Sequence, residues 1–203
     1  MCKLSILILS IPERLKQLIR LYEVLENQIR SGACESQVEV LTLLDNKQKT
    51  IAEKRNILLN SASGEFLAFL DDDDKVADNY IKEIIEAIKK EPKADVITYD
   101  QDCLINGIPL KVSFGLGNPH EGLTYDKIKG CYKDIKRPPY HICVWRKEIA
   151  KSEKFENVRA ENGQSIEDIH WCLRLYPKCQ STYHISKVLH NYLYSSETTQ
   201  SIT

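Results

Sequence analysis

Apolar residues in this chain come in short, nearly unbroken runs separated by amphipathic stretches. Leu4 to Leu9 (LSILIL), Val38 to Leu44 (VEVLTLL) and Phe66 to Leu70 (FLAFL) are such runs. Their length and their weak polar alternation predict strands covered on both faces. Pro12 suits the first turn of a helix, and Leu15, Leu18, Ile19, Tyr22, Leu25 and Ile29 follow at helical spacing until Gly32 ends the pattern. Thr50 and Glu53 have capping-box spacing and open a second helix to about Asn60, carrying Lys54, Arg55 and Asn56. After Phe66–Leu70, Asp78 is placed to cap a third helix with Ile81, Ile84, Ile85 and Ile88 on one face. Lys89 and Lys90 complement its dipole, and Pro92 stops it. The order β-α-β-α-β-α with near-continuous apolar strands predicts an α/β domain, a parallel sheet with helices on its faces.

Beyond residue 90 the periodicity weakens. Asp95 to Tyr99 reads as a fourth strand, and Asn106-Gly107 as a hairpin turn. Gly115 to Tyr140 is rich in Gly, Pro, Lys and Asp without a clear period. A long irregular stretch inside a compact domain points to a functional loop or lid. Ile142 to Trp145 is strand-like. Ser165 to Tyr176 reads as a helix, with Ser165 and Asp168 spaced as a second capping box. Two short strands, Thr182–Ile185 and Val188–Tyr194, precede a polar tail.

The 203 residues suit a single domain, with 42% apolar and 28% charged residues. Lys+Arg number 28 against 29 Asp+Glu, so the basic footprint of a nucleic-acid binder is missing. No apolar run reaches the length of a membrane span. The short apolar start leads into a charged helix and lacks a small-residue cleavage site, so it does not read as a signal peptide. Seven cysteines without C-x-x-C spacing read as free thiols in a reducing compartment, the cytoplasm.

Candidate chemistry gathers where strands or loops meet helices. Asp71, Asp72, Asp73 and Asp74 follow the Phe66–Leu70 run directly. Adjacent carboxylates repel unless a positive charge sits among them, and a hard divalent cation, Mn²⁺ or Mg²⁺, is the natural one. The crevice at the carboxyl ends of strands is where open α/β sheets bind ligands. The plain alternative is a solvated acidic turn capping the next helix. Asp45 ends the second strand, where a carboxylate has little of the core to support, and Glu167-Asp168 opens the late helix.

This ordered set resembles the inverting glycosyltransferases of family 2, which have the GT-A fold. The resemblance is carried by the Leu4–Ser10 strand with Pro12, the strand ending at Asp45, Lys54-Arg55-Asn56, Ala62-Ser63-Gly64-Glu65 running into FLAFLDDDD, and Glu167-Asp168 with Trp171 and Arg174. It is strongest over about residues 3–90. It implies a Rossmann-like, mostly parallel sheet with helices on both faces and a small antiparallel annex. About residues 1–100 would bind a nucleotide-sugar, most often a UDP-sugar, and about 101–203 an acceptor on a glycan, lipid or protein. Asp45 matches the position that contacts the base, Asp71 the one near the ribose, and Asp73 the metal ligand. Asp72 can take either of the last two jobs. Arg55 matches a position near the nucleotide, with an ion pair to the carboxylate cluster as its structural alternative. Asp168 matches the catalytic base and Glu167 its helper.

His184 and His190 follow the Glu-Asp motif, where related enzymes can supply another metal ligand; otherwise a strand histidine is structural. His170 reads as merely helical, His120 and His141 flank the irregular stretch, and Trp171 reads as packing beneath the Glu-Asp loop. Tyr183, Tyr192 and Tyr194 read as core or sheet-face residues. Two rival functions remain on the sequence. One is a nucleotidyltransferase or metal phosphohydrolase, although Ser10-Ile11-Pro12-Glu13-Arg14 stands where a Gly-rich phosphate loop would be. The other is a catalytically silent sugar- or nucleotide-binding module.

Overall fold

The computed structural model describes residues 2–194, so the polar tail lies outside the described residues. β1 (Leu4–Ser10) is buried along its whole length. It has parallel partners on both sides, β2 (Val38–Leu44) and β3 (Phe66–Asp71). A 3-10 turn at Pro12–Arg14 leads into α1 (Leu15–Ser31), and the expected Thr50–Glu53 capping box opens α2 (Ile51–Ser61). The chain steps from β1 to β2, then back across β1 to β3. Right-handed crossovers in opposite directions place α1 and α2 on opposite faces. α3 (Tyr80–Lys90) packs against α1 and buries Ile81, Ile84, Ile85 and Ile88. Its N-cap is Asn79 rather than Asp78, and no side chain caps the helix. Asn79 instead donates to Glu83 at 2.9 Å.

The second half is where sequence and structure part. β4 (Lys75–Val76) follows the aspartates. β5 (Val96–Ile105) is twice the length of the expected strand and turns at Asn106-Gly107 into β6 (Ile108–Phe114). Both turn residues have positive φ, 48° and 81°, as a two-residue hairpin of this hand requires. Part of the irregular stretch is built: β7 (Tyr125–Asp126) and β8 (Cys131–Tyr132) form a small antiparallel sheet, and β9 (Ile135–Arg137) joins β6. β10 (Val144–Arg146) inserts antiparallel between β3 and β5. α4 (Lys147–Lys151) and α5 (Glu167–Leu175) lie against the α2 side. β11 (Thr182–Tyr194) is one strand with an irregularity between Ile185 and Val188, not two strands. It runs parallel to β5, whose ladder carries it across the bulge.

The main sheet has the order β2-β1-β3-β10-β5-β11-β4. β2, β1, β3, β5 and β11 point the same way, so the carboxyl ends of β1, β2 and β3 share one edge. Ser10, Asp45 and Asp71 stand there side by side. Among the described residues no helix is long and apolar enough to cross a membrane, and all seven cysteines are free thiols.

Gly64 marks a close approach at the opposite, amino-terminal end of β1 and β3. Its N–H donates to Ser5 Oγ at 2.8 Å, and a Cβ there would lie 2.7 Å from the Ser5 backbone nitrogen. The β1–β3 ladder cannot give way cheaply, because both strands are buried. Gly64→Ala is expected to cost about 1–3 kcal/mol, the scale of overpacking. Urea unfolding at 25 °C measures it, as a lower midpoint at unchanged slope.

Candidate active site

α2 positions two cations toward the sheet edge. Helical spacing from Ala52 through Arg55 to Leu58 and Leu59 puts one face on the core. Lys54 and Arg55 lie with that face at 2% and 3% exposure. Buried cations must be paired. Lys54 Nζ is 2.7 Å from Asp45 Oδ1, and the Lys49 amide donates to Asp45 Oδ2 at 2.9 Å. Burial works against the Asp45 charge, but these partners hold its carboxyl below the usual range. Asp45 therefore does support the interior, contrary to the expectation for a strand-end carboxylate. The reason is Lys54, which the sequence offers as one more helix-surface lysine.

Arg55 spans the crevice floor. Its Nε donates to Glu167 Oε1 at 3.2 Å, and Nη2 reaches Asp71 Oδ1 at 3.5 Å. The guanidinium lies over Phe69 and Phe155, 5.2 and 5.6 Å from the ring centroids. Phe155 stacks on Trp171, which is fully buried, as expected for packing beneath the Glu-Asp loop. Asn56 clamps the Phe155 backbone from both sides, donating to its carbonyl and accepting from its amide.

The four aspartates divide by direction. Asp72 is 2% exposed and turned inward; it accepts from Ser10 Oγ at 2.7 Å and pairs with Arg14 Nε at 2.9 Å. Burial raises its pKa against those two partners. Asp74 folds back to accept from the Asp71 amide at 2.8 Å and meets His190 Nε2 at 3.0 Å. Gln101 holds the other His190 nitrogen at 2.8 Å. Burial opposes both charges, yet each partner favours the other's ionised form: His190 is raised and Asp74 lowered. Asp71 and Asp73 face the crevice, with side chains 48% and 57% exposed. Although Asp71 reaches solvent, desolvation at the crevice floor pushes its carboxyl up to about 7 against the pull of Arg55, with Asp74, Asp73 and Asp168 adding to the rise.

No three metal-binding side chains are grouped as a protein-only site among the described residues. Two half-open carboxylates do fit a Mg²⁺ or Mn²⁺ ion that also holds phosphate oxygens, the usual way Mg²⁺ is bound beside nucleotides. Asp73 also meets Arg14 Nη2.

α5 opens differently from the expected capping box. Its N-cap is Ile166, without a side-chain cap bond. Ser165 Oγ donates to Glu167 Oε2 at 2.6 Å, so Arg55 and Ser165 between them hold Glu167, which is 4% exposed. Asp168 is released from the helix end and turns to the crevice. It accepts from Tyr140 Oη at 3.0 Å and from the Ile169 amide at 2.7 Å. Burial holds the Tyr140 phenol well above its usual pKa, which keeps it a donor. His141 Nδ1 lies 3.3 Å from the same Asp168 oxygen, and burial keeps the ring neutral. Neither nitrogen of His141 has a hydrogen-bond partner, nor does Arg55 Nη1, although all three are buried. Such orphans concentrated at one place call for a ligand or a functional reason.

The structure thus brings Arg55, Asp71, Glu167 and Asp168 together and sets Asp45 with Lys54 at the end of β2. His184 pairs with Thr98 and Asp100, His170 with Arg174 and Glu156, and His120 with Arg137. Tyr140 and Arg14 carried no sequence signal of their own, and Lys54 entered only within the Lys54-Arg55-Asn56 stretch of the family resemblance. His190 did, but its partner Asp74 lies 116 residues away, across a strand pairing that the sequence does not declare.

Residues 20–107 match the family described as Glycosyl transferase family 2. No curated protein matches the chain. Among solved structures, S. aureus TarS residues 1–349 in complex with UDP-GlcNAc is 15% identical with a TM-score of 0.58, covering 96% of this chain and 59% of that one. The same TarS segment in complex with UDP is 18% identical with a TM-score of 0.59, covering 96% and 61%. The present chain thus spans about three fifths of those structures, and at these identities the likeness is one of fold. Residues 20–107 are thus similar to glycosyltransferase family 2, and the chain as a whole shares the GT-A fold of those structures.

Proposed function

We propose that this domain transfers a sugar from a nucleoside-diphosphate donor to an acceptor hydroxyl, with inversion. The observation that carries the reading is the Glu167–Arg55–Asp71 bridge, which sets Asp168 facing the aspartate turn across one crevice. Uridine is the favoured nucleotide, because the structural neighbours are described with UDP-GlcNAc and UDP. Asp45 is assigned to the base, Asp71 to the ribose and Asp73 to a divalent metal. Asp72 is given a supporting role, since Ser10 and Arg14 already engage both its oxygens. A metal bound at Asp73 would neutralise charge on the diphosphate as it leaves.

Asp168 is assigned as the general base. An inverting transfer needs one carboxylate at the acceptor oxygen, to take its proton as that oxygen attacks the anomeric carbon. Tyr140 and the Ile169 amide fix the carboxylate's direction, which is the pre-positioning such a step requires. Glu167 is assigned to positioning: Arg55 and Ser165 occupy its oxygens, so it acts by holding the start of α5. A silent binding module would not need a pre-positioned carboxylate there at all.

Three outcomes are expected. Asp168→Asn keeps UDP affinity and lowers sugar transfer by about 10²-fold or more, in line with loss of a general base. A variant with near-parent transfer, measured with a panel of UDP-sugars, removes Asp168 from that role. Arg55→Met leaves Glu167 buried without its cation and costs about 3–5 kcal/mol of stability, the scale for breaking a buried pair; chemical denaturation reads it. Asp45→Asn weakens UDP binding by calorimetry. It also lowers the melting temperature, because Lys54 then stays buried without a counter-charge.

A further inference from the structure

The turn after β1 supplies an arginine that the reading above leaves without a catalytic or binding role. Arg14 ends the Pro12–Arg14 turn, with its amide donating to the Ile11 carbonyl at 3.0 Å. Its guanidinium spans two consecutive carboxylates, Nε at 2.9 Å from Asp72 Oδ1 and Nη2 on Asp73 Oδ2. Asp72 is anchored by Ser10 and buried, so it holds the Nε edge of the guanidinium and leaves the Nη2 edge on the open Asp73. Asp73 is the most open of the pair, and this cation already neutralises it. The neighbouring carboxylates are matched too, Asp71 by Arg55 and Asp74 by His190.

A divalent ion on Asp73 would stand within a few ångströms of that guanidinium, and two cations at that range repel. The same guanidinium is well suited to phosphate oxygens, which it can bind in a forked, two-point manner. We propose that Arg14 is a counter-cation that gates the metal at Asp73: it holds the carboxylate until a nucleotide diphosphate arrives, then transfers to the diphosphate and frees Asp73 for the metal. Metal and nucleotide then bind together, and Mn²⁺ alone binds weakly. This rests on the nucleotide-sugar reading. A purely structural clamp would act in the opposite direction, since its removal would loosen the turn and weaken any metal bound there.

The test is a titration of Mn²⁺ alone, read as free Mn²⁺ by electron paramagnetic resonance. It is paired with UDP binding by calorimetry in EDTA. Arg14→Ala is expected to bind Mn²⁺ alone about tenfold more tightly than the parent, the scale of one nearby charge removed, and metal-free UDP about tenfold more weakly. Arg14→Lys, which keeps a cation, is expected to leave Mn²⁺ binding weak. If Arg14→Ala does not fold, as judged by circular dichroism, Arg14→Gln takes its place with the same expected outcome. Mn²⁺ affinity unchanged or lowered in a folded, uncharged variant overturns the proposal. If the parent binds no UDP with or without Mn²⁺, the nucleotide-sugar reading fails and the diphosphate half of the proposal with it. The Mn²⁺ titration still decides whether Arg14 guards Asp73.

Discussion

One buried cation organises this domain. Arg55 lies on the core side of α2 at 3% exposure and joins Glu167 at the start of α5 to Asp71 at the end of β3. Removing a guanidinium from water is costly, and the cost is met here by two carboxylates and two aromatic faces. An apolar residue in its place could pack equally well, so stability alone does not account for an arginine. What it adds is direction. It binds the oxygen of Glu167 that Ser165 does not use, so the first turn of α5 is fixed and Asp168 is left to face the crevice.

The same principle governs the aspartate turn. Four adjacent carboxylates are tolerable because the fold brings three cationic groups to them from three elements: Arg55 from α2 to Asp71, Arg14 from the turn after β1 to both Asp72 and Asp73, and His190 from β11 to Asp74. Asp72 and Asp74 are consumed in this way, their oxygens spent on the Ser10 hydroxyl and the Asp71 amide as well. Asp71 and Asp73 keep open faces. The inward pair shapes the turn and the outward pair is available to a ligand. Two jobs are thus divided within four residues that look identical in the sequence.

Around Asp168 the polar groups are not fully matched. His141 lies within 3.3 Å of it yet has no hydrogen-bond partner on either nitrogen, and one Arg55 nitrogen is also bare. Two further atoms without a hydrogen-bond partner, Asp45 Oδ1 and His190 Nε2, face a charged group instead, Lys54 at 2.7 Å and Asp74 at 3.0 Å. His141 and Arg55 Nη1 thus leave bonding capacity near Asp168 that no hydrogen bond fills.

The sequence by itself determined the first half of the domain. Strands Leu4–Ser10, Val38–Leu44 and Phe66–Asp71 and the helices between them are legible because apolar runs, capping residues and helical spacing are local signals. It also marked the chemistry-bearing residues Asp45, Arg55, the aspartates and Glu167-Asp168, since their order along the chain is what the family resemblance reads. Only the tertiary structure decided which of them face inward. Ser165 and Asp168 have the spacing of a helix cap, yet Arg55 and Tyr140, from α2 and from the stretch before β10, draw the two carboxylates of that motif elsewhere. β10 reaches its place between β3 and β5 only after the β5–β6 hairpin and the β7–β8 annex. His190 meets Asp74 through the β11–β4 pairing. These are contacts between distant segments, and a pattern of neighbouring residues carries no record of which strand lies beside which.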